Sequence, residues 1–158
     1  MKGGYKMKKR KISKEVREQV LEEYFENLKK ENQRMTSGLN VYNYCEDLIH
    51  SDQEVVRVLI LDSKLKVITH ADVSIGTANA SIAHPRDIFK KAIINNGVSI
   101  ILVHNHPSGN PTPSNQDYDL TETVKKSGEI LDIKMLDHII IGKNKFFSFA
   151  SRQQKNVL

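Results

Sequence analysis

Along this chain, apolar residues spaced three to four apart alternate with short unbroken apolar runs, and their order predicts its elements. In KEVREQVLEEYFENLKKE (14–31), Val16, Val20, Tyr24 and Leu28 fall four apart, the spacing of an amphipathic helix, with Ser13 as its N-cap. A polar stretch, ENQRMTSG, precedes a second short helix expected near 41–50 (VYNYCEDLIH). EVVRVLILD (54–62) is apolar and β-branched, and LKVITHADV (65–73) follows across an Asp-Ser-Lys turn, which predicts two hairpin strands. Helix returns over PRDIFKKAIINN (85–96). Pro85 suits the first turn, Ile88, Phe89, Ala92 and Ile93 form an apolar face, and Gly97 suits the C-terminal cap. VSIILVH (98–104) is apolar throughout, as in a strand covered on both faces. Leu120, Val124, Ser127 and Leu131 mark one face of another helix. DHIIIG (137–142) and FFSF (146–149) then read as two strands joined across Gly142-Lys143-Asn144-Lys145. The sum is an α/β fold, a mixed β-sheet flanked by helices, with no internal repeat.

Composition adds bounds. A chain of 158 residues with 39 % hydrophobic content can bury a single core. No stretch approaches the roughly 20 apolar residues of a membrane span, and the basic start is followed by no apolar run, so it does not read as a secretory signal. One cysteine, Cys45, allows neither an internal disulfide nor a paired-cysteine zinc knuckle. Its neighbours at helical spacing, Val41, Tyr44, Leu48 and Ile49, predict a packed thiol. These features lead to the expectation of a cytoplasmic protein.

Charge is unevenly placed. Lys2, Lys6, Lys8, Lys9, Arg10, Lys11 and Lys14 occur with no acid in residues 1–14, whereas the whole chain nets only +5. The basic character therefore belongs to a tail. Lys8, Lys9, Arg10 and Lys11 are candidate phosphate contacts to DNA, with a solvated arm as the plainer alternative.

The chemistry concentrates in HNHPSGNPTPSNQD (104–117). Side chains two apart in an extended segment point to one side, so His104 and His106 can aim both imidazoles at one point. Two imidazoles, a carboxylate and an open position make a catalytic zinc arrangement. Asp117 offers the carboxylate, and the PSGNPTP turn can bring it back to the strand end. Ser114-x-x-Asp117 also has the form of a capping box, which explains those two residues without a metal but leaves the paired histidines unexplained.

His104-x-His106, seven residues, Ser114, two residues and Asp117 resemble the H-x-H-x7-S-x2-D motif of the JAB/MPN (JAMM) metalloproteases. More narrowly, HNHPSGNPTPSNQD and DHIIIG resemble the RadC family, a DNA-repair-associated branch. EVVRVLILDSKLKVI, Gly76-Thr77 and HPRDIFKKAI agree, so the resemblance covers about residues 40–150. It implies a cytidine-deaminase-like α/β fold over residues 38–152, preceded by a basic tail and amphipathic helix over 1–37. It also implies a zinc ion held by His104, His106 and Asp117, and Ser114 stabilising an oxyanion. An upstream glutamate would serve as general base; alignment puts it at Glu54, with Asp52 and Glu46 as nearby substitutes. The pattern is that of short forms without the helix-hairpin-helix region of longer RadC-like proteins.

The implied activity is zinc-dependent hydrolysis of a peptide or isopeptide bond. The alternatives are a metal-dependent DNA-processing factor or nuclease, and a non-catalytic binding module. Deamination fits less well, because the H-x-E and P-C-x-x-C signature is absent. Asp137 and His138 are expected to support or pack rather than ligate, His70 and His84 to lie at the surface or in loops, and Arg86 to pair with an acid, with a substrate contact as the alternative.

Overall fold

The computed structural model describes residues 13–31, 33–76 and 83–157, with side chains of 26–31 left aside. Lys8, Lys9, Arg10, Lys11 and Thr77 lie outside the described residues. The chain divides into two units after Lys30. In the first, α1 (Lys14–Glu31) starts as expected at Ser13, whose hydroxyl accepts from the Val16 amide at 3.3 Å.

The second unit is one six-stranded mixed sheet with helices on both faces. In chain order it comprises α2 (Gly38–Tyr44), a 3-10 turn (Glu46–His50), β1 (Glu54–Leu61), β2 (Val67–Gly76), α3 (Pro85–Ile94), β3 (Ser99–Asn105), α4 (Asn115–Leu131), β4 (Lys134–Gly142), β5 (Lys145–Ser148) and β6 (Gln153–Asn156). The strands lie in the order β2-β1-β3-β4-β5-β6. Among the described residues only β3 and β4 pair in parallel, because α4 carries the chain back between them; the other pairs are antiparallel.

The side-chain alternation of the central strands sorts the core into two layers. Val55, Leu59, Ile101, Val103, Ile139 and Ile141 pack with Val41, Cys45 and Leu48 from α2 and the 3-10 turn. Val56, Val58, Ile60, Ile100 and Leu102 pack with Ile88, Phe89, Ala92, Leu120 and Val124 from α3 and α4. This is why β1 and β3 show no polar alternation: both faces are covered. Cys45 is fully buried, and burial pushes its thiol up to about 12, as suits a packed, unreactive group.

Three elements differ from the sequence expectation. The helix over 41–50 breaks at Cys45, where the Leu48 amide takes an i→i+3 bond to the Cys45 carbonyl at 3.0 Å and tightens the chain into a 3-10 turn. That turn brings Asp47 to Arg57 of β1. At the end of α3 the left-handed residue is Asn96 (φ 54°), not Gly97. The Gly97 amide bonds back to the Ala92 carbonyl at 2.8 Å and that of Asn96 to Ile93 at 3.1 Å, a Schellman ending. Finally, β6 pairs with β5 at the sheet edge; its residues QQKN are all exposed and carry no apolar alternation to signal a strand.

Candidate metal centre

The antiparallel register of β1 and β3 pairs Val56 with His104, so the start of β1 and the end of β3 share one end of the sheet. Asn105 fixes that junction. Its Oδ1 accepts from the Val55 amide at 2.8 Å, and its Nδ2 donates to the Gln53 carbonyl at 3.0 Å, holding the chain on both sides of Glu54. Sequence reasoning missed Asn105. The only available signal was an amide between the paired histidines, facing the opposite side of the sheet.

After β3 the chain turns sharply, with the Gly109 amide donating to the His106 carbonyl at 2.8 Å and Gly109 itself at φ 76°. A side chain there would be strained. The turn lies against Gly142, whose missing Cβ leaves room for the Gly109 carbonyl and the Pro111 ring. The chain then enters α4 through a complete capping box. Ser114 accepts from the Asp117 amide at 3.2 Å, and Asp117 Oδ2 accepts from both the amide and the hydroxyl of Ser114 at 2.7 Å. With Oδ2 so held, Oδ1 faces His104 Nε2 at 3.1 Å.

Glu54, His104, His106 and Asp117 thus converge, with one ligand atom from each lying within 4.8 Å of the others. Asp52 and Glu46 lie outside this group. His104 and Asp117 are buried, and Glu54 and His106 partly so. His106 Nδ1 meets the Asn110 carbonyl at 2.8 Å. A carbonyl only accepts, so Nδ1 carries the proton and a neutral His106 turns a bare Nε2 lone pair inward. That Nε2 stands 3.0 Å from His104 Nε2 and 3.6 Å from Asp117 Oδ2. Converging lone pairs and two carboxylates make a donor set that fits a divalent cation, and neutral imidazole with carboxylate suits zinc chemistry.

Without a cation, a proton on Nε2 can take its place. Burial alone would raise the pKa of Asp117, but hydrogen bonds donated to it by His104 and His106 in that protonated form hold it well below the carboxylate range. Burial works against a charge on His106, yet Asp117 and the Asn110 carbonyl outweigh it and raise its pKa.

Behind His104, its Nδ1 lies 2.8 Å from His138 Nε2, and His138 Nδ1 lies 2.6 Å from Thr121 Oγ1. His138 is fully buried and stacks on Phe149. Its backbone amide donates to Asp137, which also accepts from Ser148 and the Ala150 amide. Neither Asp137 nor His138 belongs to the converging group; His138 backs His104, and Asp137 holds the backbone around His138. A cavity of about 530 Å³ opens beside His138 and Thr121, between α4 and the β4–β5 strands; none of the four converging residues lines it. His70 and His84 are exposed, and Arg86 is exposed with its nearest acid, Asp87, at 3.5 Å.

Fold and site together define an α/β domain with a metal-type centre at the end of its parallel strand pair. Residues 35–155 match the RadC-like JAB domain, and the chain belongs to that family. It is 44 % identical over 117 residues to a UPF0758 protein of Thermotoga maritima, covering 74 % of this chain and 53 % of that protein. It is 48 % identical over 120 residues to a UPF0758 protein of Clostridium botulinum strain Loch Maree, covering 75 % and 53 %. With a UPF0758 protein of Desulforamulus reducens it shares 51 % over 107 residues, covering 68 % and 47 %. The chain spans about half the length of these relatives.

Proposed function

We propose that this domain is a zinc-dependent hydrolase that cleaves a peptide or isopeptide bond. The observation that carries the proposal is the convergence of two imidazoles and two carboxylates within 4.8 Å at a strand end. Membership of the JAB family supports the same reading. His104, His106 and Asp117 would hold the ion, which when bound supplies Lewis acidity and draws the pKa of water down to about 7.

The remaining steps fall to the chain. Glu54 takes a proton from the attacking water and returns it to the leaving amine, a general acid–base role open to a half-buried carboxylate at the cluster edge. The Asn110 carbonyl, bonded to Nδ1, keeps His106 oriented. Ser114 donates to the oxyanion that develops on the scissile carbonyl. To do so its hydroxyl leaves Asp117 Oδ2, which retains the Ser114 amide bond.

The test measures zinc content and cleavage of peptide and isopeptide substrates by the wild type and Glu54→Gln. One zinc per chain with cleavage reduced about 10²–10⁴-fold in the variant is the expected result. Equal cleavage by both proteins overturns the role of Glu54. The basic tail favours a second reading, in which Lys8, Lys9, Arg10 and Lys11 bring the domain to DNA. Cleavage of DNA with the same Glu54 dependence would put that reading in place of the peptidase.

A further inference from the structure

We propose that His138 and Thr121 form a one-way hydrogen-bond relay that fixes the tautomer of His104 and so holds its Nε2 ready for the metal. The inference rests on the metal reading of the site but concerns residues outside the ligand set.

Thr121 Oγ1 stands 2.6 Å from the Asp117 carbonyl oxygen and 2.6 Å from His138 Nδ1. A hydroxyl has one proton to give, and a carbonyl oxygen can only accept. At that distance two oxygen lone pairs would repel unless the Thr121 proton lay between them. Thr121 therefore donates to Asp117, and its oxygen must accept from His138 Nδ1–H. His138 is fully enclosed, stacked 4.7 Å from the Phe149 ring and 9° from parallel with it. Burial disfavours a charged ring there, so its Nε2 is a lone pair. At 2.8 Å that lone pair accepts from His104 Nδ1–H. A neutral His104 then has its own lone pair on Nε2, the atom facing His106 and Asp117.

Reversing the order fails at its last link. If His138 donated to His104, its Nδ1 would need the Thr121 proton, and the Asp117 carbonyl would face a bare hydroxyl oxygen at 2.6 Å. The relay also closes a loop through the fold. It begins at the backbone of one ligand, Asp117, and ends on the ring of another, His104, so α4, β4 and β3 are locked in the arrangement the centre needs. Metal-ligating histidines held by such outer partners lose about 10–100-fold in metal affinity when the partner is removed.

The first test reads the ring nitrogens of the wild type by ¹⁵N NMR, with and without Zn²⁺. The expected result is a neutral His138 protonated at Nδ1 in both states; a His138 protonated at Nε2, or charged, overturns the relay. The second test measures Zn²⁺ affinity and the visible spectrum of the Co²⁺-loaded protein for Thr121→Val, Thr121→Ser and His138→Phe. Thr121→Val and His138→Phe should weaken Zn²⁺ binding about 10–100-fold and alter the Co²⁺ bands, with Thr121→Ser restoring both. Wild-type affinity and spectrum in a folded Thr121→Val would overturn the proposal even if His138→Phe failed to fold. A wild type that binds no zinc would sink the hydrolase reading, while the nitrogen spectra of the metal-free protein would still decide the relay.

Discussion

Two polar clusters, each built around a buried side chain, sit on opposite faces of the same sheet, and they differ in whether their charges are already answered. Facing α2 and the 3-10 turn, Arg57 gives two 2.8 Å bonds to the Asp47 carboxylate and two more, at 2.6 and 3.2 Å, to Asp72. Each contact joins a donor to an acceptor. Facing α4, His104, His106 and Asp117 instead direct acceptors at one another, with Glu54 adding a fourth. The first arrangement is complete and reads as a structural brace. The second has the donor set that a divalent cation would complete. Buried charge is therefore no sign of a functional site by itself; the sign is a set of groups that cannot satisfy one another.

The largest expected effect breaks the acceptor cluster. His106→Ala and Asp117→Ala should each reduce bound zinc from about one per chain to near none, read by elemental analysis after dialysis. Wild-type zinc content in both variants would remove the contrast between the clusters.

Next in size is the brace. Arg57→Ala leaves Asp47 and Asp72 facing each other, and breaking a buried pair costs several kcal/mol. The Asp47 side chain is 60 % exposed, so solvent screens part of the loss. The expected destabilisation is roughly 2–3 kcal/mol in urea unfolding, with zinc per chain unchanged.

A smaller effect separates the two faces by pH. In the metal-free protein, the raised pKa of His106 contributes stability that is complete below 6.5 and lost as pH rises through its folded value. The lowered pKa of Asp117 contributes stability present above 3.8 and lost as pH falls through its own folded value. Melting temperature of the metal-free form should therefore decline as pH rises above 6.5, whereas stabilisation by added zinc should grow as protons leave the ligands. Arg57, whose pKa its aspartates raise despite burial, stays charged throughout and adds no slope. A rising metal-free melting temperature over that range would contradict this account.

The smallest effect sharpens the role of the cap. Ser114→Ala removes one side-chain cap and should cost about 1 kcal/mol in unfolding. Zinc affinity should fall far less than in Asp117→Ala, because the Ser114 amide still holds Oδ2.

Much of the site could be read from residues 104–117 because its rules are local. A period of two aligns His104 with His106, and the three-residue spacing of Ser114 and Asp117 is a helix start. Glu54 came only through resemblance, since nothing within its own segment distinguishes it from Asp52 or Glu46. Asn105 and Thr121 gave no readable signal, and His138 was legible only as a residue of DHIIIG, without its partners. Their partners lie 50, 17 and 34 residues away along the chain, across strands and a helix whose registers local pattern does not fix. The break at Cys45 was hidden for a similar reason: the apolar spacing continues through it, while the backbone tightens towards Arg57.

The sequence by itself determined most of the elements, though not the 3-10 turn or β6, together with the two-sided burial of β1 and β3 and the local geometry of the histidine pair and the capping box, because each follows from spacing along one segment. Tertiary structure decided which carboxylates converge on the histidine pair, which groups stand behind each imidazole, and which charges are already paired. Those outcomes depend on the antiparallel register of β1 with β3 and the parallel register of β3 with β4, which bring distant protons and lone pairs within hydrogen-bond reach.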